Sequence, residues 1–258
     1  MRLSLDLPRI ETALRESSVT QMLCHDQIDS TNTAALALDA PGALVLAEHQ
    51  VGGKGRLGRE WTETPRAGLA MSLRVPVPPH AVGWVPLLTG LALRTAVARE
   101  TAYRADLKWP NDLLAASGGK LAGILCEMTP DAIVIGAGLN VDHTREELPV
   151  PTATSLALEL GRPIGAIDRS ALVIAYVQEL TTLLAALHTG GGELRAAQEA
   201  YRAACSTIGA RITVQTQGAP VAAEATGVDD DGRLLVRDPA GATRAIAAGD
   251  VHHVRVAE

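Results

Sequence analysis

A chain of 258 residues is long enough to bury the core of one sizeable domain and to carry a smaller one beside it. Its formal charge of −6 argues against nucleic-acid binding by the surface as a whole, so any site for an anion must be local. The three cysteines are odd in number and widely spaced, which argues against a disulfide framework or a zinc site and indicates a reducing cytoplasm.

The predicted elements alternate between helices and strands along most of the chain. The first residues mix acidic and basic side chains, so we expect no signal peptide, and no run approaches the roughly eighteen apolar residues of a membrane span. In chain order the patterns predict helices at 10–16 and 33–38, strands at 43–47 and 69–75, a long helix at 85–103, a strand hairpin at 121–128 and 132–139, and helices at 169–187 and 193–204.

The pattern changes after Cys205. Short alternating runs are interrupted by glycine, proline and aspartate about every ten residues, which is typical of a small all-β barrel. We therefore predict a larger domain over residues 1–204 and a smaller one over residues 205–258.

The segment Gln50–Arg59 holds four glycines and three cations within eight residues, directly after the predicted strand 43–47. Glycines let backbone N–H groups approach a ligand closely, and the cations bring positive charge to an anion. The spacing matches neither a P-loop nor a dinucleotide-binding fingerprint. In isolation it is equally compatible with a solvated hairpin loop.

Three further segments carry polar groups at strand ends. Lys108-Trp109-Pro110-Asn111-Asp112 holds a cation, an amide and a carboxylate at a proline-restricted corner. A Gly-Gly turn places Lys120 at the start of a buried strand, and Gly136-Ala137-Gly138-Leu139-Asn140 ends a strand in an amide. Each segment alone is also compatible with an ordinary turn, an edge lysine or a bulged strand.

Taken together with Asp29-Ser30-Thr31-Asn32 and Trp61, these segments have the order and spacing of the biotin protein ligases, and the chain resembles that family from about Asp29 to its end. It departs in having Lys54 where the family usually has arginine. Lysine keeps the charge but loses the planar fork, which bears on how firmly the loop closes. About 28 residues before Asp29 cannot form the DNA-binding domain of some members, so we expect the enzyme-only form.

The resemblance implies an α+β fold. A mixed sheet flanked by helices would form a catalytic domain like that of class II aminoacyl-tRNA synthetases, followed by an SH3-like barrel. It implies a cytoplasmic ligase that uses ATP and Mg²⁺ to make biotinyl-5′-adenylate and transfers the biotin to a lysine of a biotin carboxyl carrier domain, without nucleic-acid or membrane partners.

The resemblance also implies roles for individual residues. Lys120 and Arg56 are the implied catalytic residues. The implied biotin-binding residues are Ser30, Thr31, Asn32, Gln50, Gly53, Lys54, Lys120 and Gly123. The implied nucleotide-binding residues are Arg56, Arg59, Trp61, Lys108, Asn111, Asp112 and Asn140. Asp112 lies in the implied Mg²⁺ region, although no firm metal ligand is predicted.

Two alternatives stay open at this point. A lipoate- or octanoate-transferring enzyme has a similar fold and uses a lysine, but the Asp-Ser-Thr-Asn and Lys-Trp-Pro-Asn-Asp segments favour biotin. A non-catalytic biotin-binding regulator is the alternative from another class, and the presence of Lys120 argues against it.

Overall fold

The computed structural model describes residues 1–215, 220–248 and 253–256, and a seven-stranded sheet lies at its centre. The first nine strands are β1 (Gln21–His25), β2 (Ala43–Ala47), β3 (Gly53–Lys54), β4 (Glu60–Trp61), β5 (Gly68–Pro76), β6 (Asp106–Lys108), β7 (Asp112–Leu114), β8 (Lys120–Met128) and β9 (Ala132–Asn140). The sheet order is β1-β2-β5-β9-β8-β7-β6, while β3 and β4 form a separate hairpin. Because β1 and β2 are parallel and the other neighbours antiparallel, the predicted mixed sheet is confirmed.

Six helices accompany this sheet, and four of them begin with a side-chain N-cap from Asp or Ser. The six are α1 (Leu7–Leu14), α2 (Thr31–Leu36), α3 (Trp84–Thr101), α4 (Leu156–Leu160), α5 (Arg169–Thr189) and α6 (Gly191–Ala204). The side chain of Ser30 accepts a hydrogen bond from the Thr33 backbone N–H at the start of α2, and Asp168 caps α5 in the same way.

The two faces of the sheet differ, and β9 shows the difference best. Its residues Ile133, Ile135 and Leu139 are buried in the main core, which also contains the apolar side chains of α3 and α5. The alternate residues of β9 point to the other face, where α2 packs on Val134 and where Gly136 and Gly138 carry no side chain. Only one face is therefore fully covered by helices, and the other has open space beside α2.

The C-terminal part is an antiparallel sheet of β10 (Arg211–Gln215), β11 (Val221–Val228), β12 (Leu234–Arg237), β13 (Thr243–Ile246) and β14 (His253–Val256). Two buried indoles hold it against the larger domain. Trp84 Nε1 donates to the Asp230 carbonyl at 3.0 Å, and Trp109 Nε1 donates to the Gly232 carbonyl at 3.1 Å. The small β-domain predicted after Cys205 is thus present, and its β11–β12 turn is anchored beside the Lys-Trp-Pro-Asn-Asp segment.

Helix α5 is long and apolar enough to span a membrane, although the sequence analysis expected no such segment. Within the described ranges it is the one helix whose length and mean hydropathy, 1.6, would suffice for a span. The expectation missed it because Gln178 and Glu179 interrupt the apolar run. Since 67% of the apolar stretch is buried inside the protein, we interpret α5 as a core helix.

Several short elements were not predicted. Strand β1 lies at the sheet edge and is mostly half-buried, so its sequence lacks a continuous apolar run. Strands β6 and β7 have three residues each and α4 has five, which is too short for a periodic pattern. Strand β9 pairs continuously with both neighbours, so the alternative of a bulged strand is wrong.

Candidate functional site

A cavity opens on the incompletely covered face of the sheet, between α2, the β3–β4 hairpin and the ends of β7 and β8. It is lined by every residue predicted for the site except Gly53 and Asn140. The structure therefore brings together segments that are about a hundred residues apart in the chain, which supports treating them as one site.

Three glycines form the floor of the cavity. A Cβ atom at Gly136 would lie 2.1 Å from Asn32 Oδ1, and one at Gly138 would lie 2.4 Å from Trp61 Cε2. At Gly123 it would lie 3.1 Å from both Lys120 Nζ and Trp61 Cζ3. Since van der Waals contact needs about 3.5 Å or more, only glycine lets these side chains lie directly on the strands.

One end of the cavity is a buried hydrogen-bond network. Gln50 Oε1 accepts from the Thr31 backbone N–H at 2.7 Å and from its hydroxyl at 2.9 Å. Ser72 Oγ lies 2.8 Å from Thr31 Oγ1 and 2.6 Å from Asn32 Oδ1. Asn32 Nδ2 donates to Glu127 at 2.7 Å. Buried amides and hydroxyls held in this way are fixed in orientation and suit a neutral polar ligand.

The glycine-rich segment is a short hairpin over the cavity. Gly53 pairs with Trp61 and Lys54 with Glu60, and a 3₁₀ turn at Arg56–Gly58 forms the tip. At this tip Arg56 donates to the Ala248 carbonyl of the C-terminal domain and to Asn111 Oδ1, the latter at 3.3 Å. Arg56 thus connects the hairpin to the opposite wall of the cavity.

The cavity collects positive charge, although the protein is acidic. Lys54, Arg56, Arg59, Lys108 and Lys120 all line it. The chain has only three lysines, all of them here, and the remaining 20 of its 23 Lys and Arg residues are arginines. This distribution is a sequence signal that the motif analysis did not use.

At the other end of the cavity, Lys120 lies between a carboxylate and an aromatic ring. Its Nζ is 2.6 Å from Asp112 Oδ1 and 5.8 Å from the centre of the Trp61 ring. Asn111 Nδ2 donates to the Ile124 carbonyl at 3.0 Å, which fixes its amide beside Asp112. The Lys120 side chain is 34% exposed, so its ammonium group is available to an anionic ligand.

Two predicted site residues lie outside the lining. Gly53 lies in β3, where a Cβ would meet the Trp61 carbonyl at 2.4 Å. Asn140 is buried at the end of β9, and its Nδ2 donates to the Thr154 carbonyl at 3.0 Å and to the Lys120 carbonyl at 3.4 Å. In this structure Asn140 supports the backbone of Lys120.

Three polar residues next to the cavity were not predicted: the buried Ser72 and Glu63 and the half-buried Glu127. Glu63 accepts a hydrogen bond from Trp61 Nε1 at 2.8 Å, and burial raises the pKa of its carboxyl to about 7. In the sequence these residues look like ordinary strand or loop residues. The only signal for them would have been a polar side chain at a position where the surrounding pattern predicts burial.

Two protein-family models match the chain, one within the larger domain and one over the C-terminal sheet. Residues 24–140 match the family model described as the biotin/lipoate A/B protein ligase family, and residues 207–254 match the biotin protein ligase C-terminal domain. The two matches cover the site segments from Ser30 to Asn140 and most of the C-terminal sheet.

Individual relatives agree with the family models. The chain is 42% identical to the biotin–(acetyl-CoA-carboxylase) ligase of Mycobacterium tuberculosis, over 89% of this chain and 87% of that protein. It is 34% identical to the protein of the same name from Paracoccus denitrificans, over 83% and 92% of the two chains. Among solved structures, the biotin protein ligase of Aquifex aeolicus in complex with biotin and ATP matches the fold with a TM-score of 0.80 at 23% identity, covering 92% of this chain and all of that one.

Proposed function

The chain belongs to the biotin protein ligase family, and we propose that it activates biotin with ATP and transfers it to a lysine of a biotin carboxyl carrier domain. The observation that carries this proposal is the cavity itself. Five cations of an acidic protein and a network of buried amides and hydroxyls meet on a glycine floor. That combination suits a ligand pair with one neutral polar end and a highly anionic one.

The proposed reaction has two steps. A carboxylate oxygen of biotin attacks the α-phosphorus of ATP, the bond to the β-phosphate oxygen breaks, and pyrophosphate leaves. The lysine amine of the carrier then attacks the acyl carbon of biotinyl-5′-adenylate, forms the amide, loses a proton and releases AMP. The first step brings two anions together, so fixed cations and precise positioning contribute more than acid–base groups do.

We assign the polar end of the cavity to biotin. Ser30, Thr31, Asn32 and Gln50 would hold the ureido head. Ser72 and Glu127 already orient Thr31 and Asn32, and Thr31 orients the Gln50 amide. Lys54 and the backbone of Gly53 would close over it from the hairpin. Gly123 would leave room for the biotin side chain beside Lys120.

We assign the cationic end to the nucleotide. Lys120 would exchange Asp112 for the biotin carboxylate and the α-phosphate, and Trp61 with Arg59 would cover the adenine. Lys108 and Asn111 would contact the phosphates, and Arg56 would retain the adenylate. Asn140 would act from the end of β9 through the Lys120 and Thr154 backbone.

The donor set around Asp112 fits a Mg²⁺ ion that is carried mainly by the ATP phosphates. The described residues contain no group of three or more His, Cys, Asp or Glu side chains that could hold a metal by themselves. Mg²⁺ at nucleotide sites usually keeps several waters and takes one or two carboxylates plus phosphates, and Asp112 would supply the carboxylate. When bound, the ion would neutralise charge on the phosphates.

The same resemblance supports three finer proposals. The larger domain would be related to the class II aminoacyl-tRNA synthetase fold over residues 1–204, and the C-terminal sheet within 205–258 would be SH3-like. The protein would act in the cytoplasm, where its carboxylase partner would be found.

Substitutions in the glycine floor should separate the two halves of the site. We expect Gly136→Ala, which displaces Asn32, to raise the KM for biotin and Gly138→Ala, which displaces Trp61, to raise the KM for ATP, each roughly ten- to a hundredfold. The measurement is steady-state pyrophosphate release with one substrate varied. Gly227→Ala in β11 is the matched control, because its Cβ would meet Leu235 Cδ1 at an ordinary 3.8 Å. Equal effects of both variants on both KM values would contradict the assignment of the two ends.

Intact mass spectrometry of a carrier domain tests the overall function. The protein is incubated with MgATP, a biotin carboxyl carrier domain and either biotin, lipoate or octanoate, and a carrier with its target lysine replaced by arginine is the control. We expect a biotin adduct on the unmodified carrier alone. A lipoyl or octanoyl adduct would move the assignment to the related transferases, and absence of any adduct together with absence of biotinyl-adenylate would favour a non-catalytic binder.

A further inference from the structure

Glu63 is a buried carboxylate for which the proposed reaction has no direct use. It lies two residues after Trp61, is 8% exposed, and forms no ion pair with any described residue. A carboxylate buried without a cation is unfavourable for folding, and an apolar residue would fill the same position at lower cost. Its presence is therefore better explained by what it contacts.

The two partners of Glu63 belong to opposite ends of the cavity. One carboxylate oxygen accepts a hydrogen bond from Trp61 Nε1 at 2.8 Å. The backbone N–H of Gln50 is near enough to the carboxyl to offset part of the rise in its pKa that burial causes. Gln50 orients Thr31 through its own side chain, whereas the Trp61 ring lies on Gly138 and beside Lys120.

Glu63 also holds the indole in the orientation in which it lies against the glycine floor. A Cβ placed on Gly138 would meet Trp61 Cε2, Nε1 and Cζ2 first, so the part of the indole that carries Nε1 lies over this glycine. If that N–H lost its acceptor, the ring could turn about its side-chain bonds and the flat surface facing the cavity would no longer be held in place.

We propose that Glu63 is a positioning residue that fixes the Trp61 indole and the Gln50 backbone relative to each other and thereby joins the biotin end of the cavity to the nucleotide end. The proposal rests on the proposed function for the identity of the two ligands. Glu63 touches neither substrate and acts through the hydrogen bond from Trp61 and through the neighbouring Gln50 backbone N–H.

The test compares Glu63→Leu, which has no acceptor, with Glu63→Gln, which keeps one acceptor oxygen. We expect Glu63→Leu to raise the KM for both biotin and ATP about tenfold with a smaller change in kcat, and Glu63→Gln to give a lesser increase of about threefold in both. Ile174→Val in α5 is the control for a slight loss of core packing, and it should leave both KM values unchanged.

A second readout does not depend on activity. The chain has three tryptophans, so three indole N–H resonances are expected in a ¹⁵N spectrum, and Trp61→Phe identifies the one from Trp61. That resonance should shift in Glu63→Leu and stay in place in Ile174→Val. Wild-type KM values or an unmoved resonance in Glu63→Leu would overturn the proposal, and Glu63→Gln provides the same test if the leucine variant does not fold. If the wild-type protein forms no biotinyl-adenylate, the proposed function fails, whereas the resonance still decides whether Glu63 holds Trp61.

Discussion

Replacing Lys120 with alanine is expected to reduce the rate of biotinyl-adenylate formation by at least roughly 10²–10³-fold, the loss typical of removing one preorganised group that stabilises charge in a transition state. Lys120 Nζ lies at the centre of the cationic end, 2.6 Å from Asp112 and beside the Trp61 ring. In the proposed reaction Lys120 leaves Asp112 and contacts both the biotin carboxylate and the α-phosphate. Because these contacts stabilise the transition state, the loss should appear in the rate of the chemical step. The measurement is single-turnover pyrophosphate release at saturating biotin and ATP.

Two further variants make this result specific. Arg99→Ala removes a largely exposed cation of α3 that pairs with Glu100 far from the cavity, and we expect it to react at the wild-type rate. Lys120→Arg keeps the charge with a larger, planar head group and should also lose most of the activity, because the glycine floor leaves no spare room. A Lys120→Ala variant that kept more than about a tenth of the wild-type rate would show that the central charge is supplied elsewhere.

Replacing Arg56 with glycine is expected to preserve adenylate formation but to increase the release of free biotinyl-adenylate by about tenfold or more. Arg56 connects the hairpin tip to Asn111 and to the Ala248 carbonyl of the C-terminal domain, and glycine removes both contacts. Without them the hairpin is no longer held over the cavity, and the mixed anhydride becomes accessible to water and to other amines. The measurement is chromatography of free biotinyl-adenylate after incubation without a carrier.

A lysine-rich bystander protein gives a second readout for this variant. Because the three lysines of the chain all line the cavity, escaped adenylate should label the bystander far more than the outer surface of the enzyme. Arg104→Gly, the same change in an exposed loop, is the matched control and should behave like the wild type. An Arg56→Gly enzyme that released no more adenylate than the wild type would refute the proposed role of Arg56.

The sequence alone determined the longer local elements and most of the residues that line the cavity. Strand β2 was predicted with its observed bounds, and α5 and the β8–β9 hairpin to within a residue or two, because long apolar or β-branched runs depend mainly on local periodicity. The ordered motifs from Ser30 to Asn140 identified almost every residue that lines the cavity, since the types of residue needed at each position are recognisable without knowing their contacts.

The tertiary structure decided which face of the sheet carries the site and what holds its residues in place. Periodicity in β9 shows that alternate residues face opposite ways, but not that α3 and α5 cover the Ile135 face and leave the Gly136 and Gly138 face open. The partners of Arg56 and Asn32 lie about a hundred residues or more away, at Ala248 and Glu127. The proposed role of Glu63 likewise depends on its hydrogen bond with the Trp61 indole, which only the folded structure shows. Local sequence carries no record of such contacts, because they arise when distant strands and loops pack together.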